Sequence, residues 1–201
     1  DKILDNYCPK HIILEKVLFS NINNYQKYKK IFSKIDTKVW VNLYMGYEFS
    51  FLEKFNPDEI LKFNVSGNWG LCCNTVHFVE IFHKLISRQI LRINKTDFKD
   101  KLVKSKREGY YELFGKIGLI SSRSDELILE CNQHVEEEVI KMEISSKSMK
   151  LKCTWVDEHV NCEFSMNGRN FTERHYVRRQ SERTLHLVRD LIKNDNCKLP
   201  K

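Results

Sequence analysis

A histidine, His77, stands three residues before an acidic one, Glu80, in a segment that follows Cys72, Cys73 and Asn74. Imidazole titrates near neutral pH, so a positioned histidine can take or give a hydroxyl proton. Upstream, Glu15 and Lys16 follow the mostly apolar run His11-Ile12-Ile13-Leu14. If that run is a strand, Lys16 sits at its carboxyl end, where ligands bind in open α/β sheets, and its ammonium can polarise a substrate hydroxyl or carbonyl. Taken singly, these residues have plainer readings. His77 reads as a helix residue satisfied by backbone near a helix N-terminus, and Lys16 as an exposed lysine. Asn68-Trp69-Gly70 is either a turn with a core tryptophan or a pocket wall. Cys72 and Cys73 read as small buried hydrophobes, because nothing nearby supplies metal-ligand spacing. His11, His83, His134, His159, His175 and His186 form no H-x-x-x-H or H-E-x-x-H pair, so no metal site is expected. Ser105-Lys106-Arg107 is either a solvated loop or an anion contact.

The elements that must hold these residues are read from periodicity. His11 to Leu14 has the pattern of a strand buried on both faces, Ser20 to Lys34 that of an amphipathic helix capped by Ser20 or Asn21, and Val39 to Leu43 that of a second strand. Strand, helix and strand in this order predict a βαβ unit with parallel pairing. Two strands cannot stand as such a sheet alone, so they pack onto the remainder of the chain or onto strands outside this sequence. Tyr47 to Phe55 predicts a helix ending before Pro57. Ile60 to Val65 predicts a strand, and Asn74 or Thr75 caps a helix whose stripe is Val76, Val79, Phe82 or His83, and Ile86. The period then changes to two, with strands predicted at Arg88–Ile93, Tyr110–Ile120, Glu126–Cys131, Glu138–Ile144, Met149–Val156 and Val160–Met166. A helix over Ser181 to Asn194, with Leu185, Val188, Leu191 and Ile192 on one stripe, closes the pattern before Pro200. The fold class expected is α+β: a mostly antiparallel open sheet flanked by helices, preceded by a parallel βαβ piece. The change of architecture near Leu43 to Tyr47 divides the chain into residues 1–45 and 46–201.

Composition bounds the function. The 201 residues are 41% hydrophobic and 11% aromatic, enough to bury a core, and seven Gly and three Pro exclude collagen-like or low-complexity classes. No apolar run reaches the ~18 residues of a membrane helix, so no membrane partner is expected. Asp1 to Asp5 shows no secretory n-region and h-region, and because the chain opens on Asp rather than Met its natural start is expected to lie upstream. The seven cysteines are odd in number and form no C-x-x-C pair, which favours reduced thiols in the cytoplasm. The formal charge of +7 raises the question of nucleic acid. Basic and acidic residues are interspersed except at Lys99–Arg107 and Arg174–Arg183, and no recognition helix or aromatic-basic strand is present, so a solvated surface or an anionic small ligand is favoured over DNA or RNA.

Several segments in order carry a further signal: Ile12-Ile13-Leu14-Glu15-Lys16 and Trp40-Val41-Asn42 at strand ends, Asn68-Trp69-Gly70 leading into His77-Phe78-Val79-Glu80, Ser105 to Gly115, and Ser181 to Pro200. Over nearly the whole chain this arrangement resembles the back part of the Gfo/Idh/MocA family of sugar and polyol oxidoreductases. The resemblance implies that the first 45 residues are the end of a Rossmann dinucleotide-binding domain, whose G-x-G-x-x-G fingerprint does not occur in this sequence. Residues 46–201 are then the substrate and oligomerisation domain. The family's Glu-Lys-Pro motif falls on Glu15 and Lys16, with Val17 in the proline's place, which implies contacts of both residues with NAD or NADP and a catalytic role for Lys16. The family's catalytic histidine falls on His77, with Glu80 in the acidic place and Cys73 where an aspartate is usual. Cys73 cannot orient a histidine as a carboxylate does, so either Asn74 substitutes as a neutral polar contact or the chemistry is altered. Asn68, Trp69, Cys73, Asn74 and His77 are the implied substrate contacts.

The expectation is therefore an NAD(P)-dependent oxidoreductase acting on a sugar, sugar derivative or polyol, assembled as a homo-oligomer through the open sheet face. The rival is a non-catalytic sugar-binding or assembly relative that has lost the orienting aspartate.

Overall fold

The computed structural model of the chain describes residues 7, 9–16, 21–87, 89–99, 101–105, 108–133, 139–197 and 199. Ser20, Arg88, Glu138 and Pro200, on which predicted boundaries fall, lie outside them, as do Val17, Lys106, Arg107 and His134.

The βαβ unit forms as its sequence dictates. Strand β1 (His11–Leu14) pairs in parallel with β2 (Lys38–Val41), and helix α1 (Ile22–Phe32) connects them. Asn21 is the N-cap, its Oδ1 accepting the Asn23 amide at 2.8 Å. The pair remains a separate two-stranded sheet. Its hold on the rest of the chain is Trp40, 1% exposed, which packs with Leu191 and Leu199 from the far end of the sequence.

The predicted helix over residues 47–55 is instead two short pieces, α2 (Met45–Glu48) and a 3-10 turn (Ser50–Lys54), broken at Phe49 with ψ 78°. Two residues apart on an α-helix, Phe49 and Phe51 would point to opposite sides. The break lets both enter the core, where their rings stack at 5.2 Å and Phe49 meets Trp155 edge-on.

The main sheet has eight strands: β3 (Lys62–Gly67), β4 (Leu91–Phe98), β7 (Gly115–Ser121), β8 (Glu126–Cys131), β9 (Ile140–Ser145), β10 (Met149–Val156), β11 (His159–Met166) and β12 (Arg169–Tyr176). Their spatial order is β12-β11-β10-β9-β3-β8-β7-β4. Every neighbouring pair is antiparallel except β3 with β8. A small hairpin-like pair, β5 (Val103–Lys104) with β6 (Tyr111–Glu112), stands apart. The predicted strand over 110–120 is thus divided at Leu113-Phe114. Strand β12 was not foreseen, although Asn167-Gly168, both at positive φ, marks the tight hairpin turn before it.

Alternation gives the sheet one core face. Leu127, Leu129, Met142, Ile144, Leu151, Cys153, Cys162 and Phe164 point into it, while Lys141, Glu143, Lys150, Lys152, Asn161 and Glu163 point to water. Helix α3 (Leu71–Leu85) covers the core face with Leu71, Phe78, Ile81, Phe82 and Leu85. Each such buried side chain contributes about 1.5–3 kcal/mol of transfer free energy. The predicted stripe through Val76 and Val79 is displaced, and both residues are only half-buried. Helix α4 (Gln180–Asn194) also departs from its predicted stripe: Leu191 is buried, whereas Leu185, Val188 and Ile192 are exposed. It buries the side that meets the β1–β2 pair.

Candidate active site

Lys16 is the second residue after β1, and Asn42 follows β2 directly, so both stand at the carboxyl ends of parallel strands. The Asn42 amide donates to the Leu14 carbonyl at 2.8 Å, extending the ladder by one rung, and its Nδ2 donates to Glu15 Oε1 at 2.5 Å. Glu15 is thereby used in tying the two strand ends together. Lys16 reaches across to helix α3. Its Nζ donates to the Cys73 carbonyl at 3.0 Å and lies 3.5 Å from Asn74 Oδ1.

Helix α3 begins one turn earlier than its polar residues suggested. Gly70 is the N-cap at φ +73°, a conformation glycine adopts without strain, and a Cβ there would collide with the Glu112 carboxylate. Glu112 explains the early start: its Oε1 accepts the Cys72 amide at 2.6 Å, so a buried carboxylate from β6 does the capping that Asn74 was expected to do. Sequence reasoning missed Glu112, and no local pattern marks it, since it lies 40 residues from the amide it caps. Asn74, released from capping, donates its Nδ2 to the Trp69 carbonyl and turns Oδ1 toward Lys16.

With the helix in this phase, His77 faces inward and is 4% exposed. Its ring centroid is 5.6 Å from that of Tyr44, and its Nδ1 is buried without a hydrogen-bond partner among the described residues. Burial, and after it the positive charges of Lys16 and Arg183, push the His77 pKa down to about 4. The imidazole is therefore neutral over the physiological range. The Cys73 thiol is raised above its usual value by burial and by Glu112, so it is a protonated thiol and no substitute for an orienting carboxylate.

These groups converge on a cavity of about 240 Å³ lined by Lys16, His77, Asn74, Trp69, Tyr44 and Asn42, among others. Trp69, Phe78, Met45 and Trp155 give it an apolar wall. Of the residues singled out from sequence, the structure brings Glu15, Lys16, Trp69, Asn74 and His77 to this one cavity. Asn68 is not among the lining residues, and Cys73 contributes its backbone carbonyl to Lys16 while its side chain is exposed. Tyr44, Asn42 and Gln180 were not anticipated. Among the described residues no cluster of His, Cys, Asp and Glu could hold a metal ion.

The same cavity is lined by apolar and aromatic side chains, an ammonium and a neutral imidazole, and two buried polar atoms, His77 Nδ1 and Trp69 Nε1, have no partner among the described residues.

No family model matches the sequence, and no curated protein sequence does. Solved structures match the fold. A dehydrogenase (MviM) from Clostridium difficile is similar over 92% of this chain and 63% of its own, with TM-score 0.64 and 13% identity. KijD10, a 3-ketoreductase from Actinomadura kijaniata solved with TDP-benzene and NADP, is similar over 94% of this chain and 64% of its own, with TM-score 0.66 and 10% identity. A super-repressor mutant of Gal80p from Saccharomyces cerevisiae gives TM-score 0.63 and 12% identity over 95% of this chain and 62% of its own. The chain thus spans under two thirds of the length of these structures. In an α+β architecture with a mostly antiparallel eight-stranded sheet and a parallel βαβ unit, it carries the fold of Gfo/Idh/MocA-type oxidoreductases.

Proposed function

We propose that this chain provides the substrate site of an NAD(P)-dependent oxidoreductase acting on a sugar, sugar derivative or polyol. The observation that carries the reading is the meeting of the Lys16 ammonium and a buried, neutral His77 on one cavity at the carboxyl end of β1. In this reading residues 1–45 and 46–201 are two units, the first contributing Lys16 and the second His77. A bound nicotinamide supplies or accepts the hydride; Lys16 and Asn42 are the residues placed to face it, with Glu15 bracing Asn42. His77 accepts the hydroxyl proton of an alcohol substrate, or returns it to a carbonyl, and Lys16 lowers the energy of the oxygen as negative charge develops there. Trp69 and Phe78 exclude water and give a sugar ring an apolar face. The free thiols of Cys72, Cys73, Cys131, Cys153, Cys162 and Cys197 fit the reducing cytoplasm. Assaying the protein with NADP and a panel of sugars tests the roles: His77→Ala and Lys16→Ala are each expected to lower turnover by ~10²-fold or more. Turnover within a few-fold of wild type in both variants overturns the assignment.

A second reading, a sugar-binding or assembly protein without turnover, is favoured by one observation: His77 Nδ1 lacks, among the described residues, the carboxylate partner that would fix its tautomer, and the position four residues before it is a thiol. Calorimetric titration separates the two, because such a protein binds sugar without nicotinamide and shows no turnover with it.

A further inference from the structure

The cavity at Lys16 and His77 adjoins a larger cleft of about 610 Å³, and the two share Asn42, Tyr44 and Gln180 as common walls. A ligand with its reacting carbon between Lys16 and His77 that outgrows the smaller cavity can extend past Tyr44 into that cleft. The cleft is rich in ionisable groups, and two of its basic side chains are already engaged. Arg178 pairs with Glu48 at 3.1 Å, and His175 lies 3.0 Å from Glu173. Arg183 differs. Its guanidinium stacks on the Tyr44 ring, with Cζ 3.2 Å from the ring centroid, and its Nε is buried with no hydrogen-bond acceptor among the described residues. Stacking holds a guanidinium flat and leaves its N–H edge directed outward, the arrangement that receives an oxyanion in the plane of the fork. A buried guanidinium N–H without an acceptor is unfavourable, and an incoming oxyanion relieves it.

We propose that the larger cleft is an oxyanion subsite and that the substrate is a sugar carrying a carboxylate or phosphate group, bound by Arg183 on the platform of Tyr44. This rests on the sugar reading of the neighbouring cavity and narrows it. Tyr44 is the shared element: Arg183 lies over its ring, and the His77 ring centroid stands 5.6 Å from that of Tyr44. The anionic end of the ligand is thereby fixed on one side of Tyr44 and the reacting carbon on the other. Asp190 and Glu48, which also line the cleft, disfavour anions away from Arg183 and so confine the oxyanion to it.

The test is calorimetric titration of the protein, with NADP present, by glucose, glucuronate, glucose 6-phosphate and UDP-glucose. At least one oxyanion-bearing sugar is expected to bind about ten-fold or more tightly than glucose, the advantage shrinking with salt. The carboxylate and phosphate arms identify which oxyanion is preferred. Arg183→Met keeps an aliphatic stem on Tyr44 and should bring the anionic sugar's affinity to within about two-fold of glucose, while Arg183→Lys should keep part of the preference. Equal affinity for neutral and anionic sugars, or an unchanged preference in Arg183→Met with its thermal midpoint preserved, overturns the proposal. No binding by any of the four sugars overturns it as well. Failure of the catalytic reading looks different: an oxyanion preference that depends on Arg183, with no turnover of the bound sugar, keeps the subsite and removes the dehydrogenase.

Discussion

At His77 the cost of the site is paid in proton affinity. Burial and two neighbouring cations hold the imidazole neutral down to about pH 4, against 6.5 for an ordinary histidine. Between those two values the unfolded chain binds more protons than the folded one, so stability rises with pH across the window and is lost as pH falls from 6.5 toward 4. The contribution is at most roughly 3 kcal/mol. Replacing His77 by Gln should flatten this acid limb of the unfolding free energy, measured by urea denaturation at a series of pH values. Removing one of the cations tests the cause directly. In Lys16→Met the His77 resonance should titrate at a higher pH in an NMR pH series, and an unmoved midpoint would show that Lys16 has no part in it. The sequence showed that His77 and Lys16 were candidates, because a strand end and a helix start are visible in local pattern. It could not show that Asn74 was free to face Lys16. That depended on Glu112 taking over the cap from a distant strand.

At the scale of elements, α3 is placed by its N-terminus. Glu112 accepts the Cys72 amide, the helix starts at Leu71, and the buried stripe falls on Phe78, Ile81, Phe82 and Leu85 with His77 beside it. Glu112→Ala leaves this end uncapped and opens space beneath Gly70; a loss of about 1–3 kcal/mol is expected in chemical denaturation. Gly70→Ala should cost a comparable amount, since the residue has φ +73° and its Cβ would meet the Glu112 carboxylate. The double variant should then cost less than the sum of the two, because removing the carboxylate removes the collision. The strands of the meander were legible because one face is core and the other water, which writes a period of two into residues such as Met149 to Trp155. The misreadings have a common physical source. Phe49 and Phe51 break a helix so that both can be buried, Leu113-Phe114 divides a strand so that Glu112 can reach α3, and α4 leaves Leu185, Val188 and Ile192 exposed. In each case packing by a distant element overrode the local period.

For the whole molecule, the decisive contacts join the first and last parts of the chain. Trp40 packs with Leu191 and Leu199, and Asp195 at the end of α4 is ion-paired with Lys38 and Lys10, which hold its carboxyl well below the usual range, and lies 2.9 Å from His11 Nε2. These contacts set the β1–β2 pair against the main domain and so bring Lys16 to Cys73 and Asn74. Trp40→Ala is expected to cost about 3–5 kcal/mol. It should also lower turnover in the fraction that stays folded, because Lys16 loses its fixed position; unchanged turnover at full folding would show that the pair is held by other contacts. The water-facing side of the sheet carries spaced ion pairs, Lys62 with Glu126, Lys116 with Glu130 and Lys152 with Glu143. Self-association through that face, which we propose, would make a polar interface. Sedimentation should then show a larger species at low salt that dissociates as salt rises.

By itself the sequence determined most of the elements and their order, because hydrophobic period and turn chemistry are local properties of the chain. It also placed a lysine at a strand's end and a histidine at a helix's start. Only the tertiary structure decided that they share one cavity, that Tyr44 divides it from the cleft holding Arg183, and that His77 is neutral. Those facts depend on burial and on charges brought from residues 61 and 106 positions away, and neither burial nor distance in space is written in any local stretch of sequence.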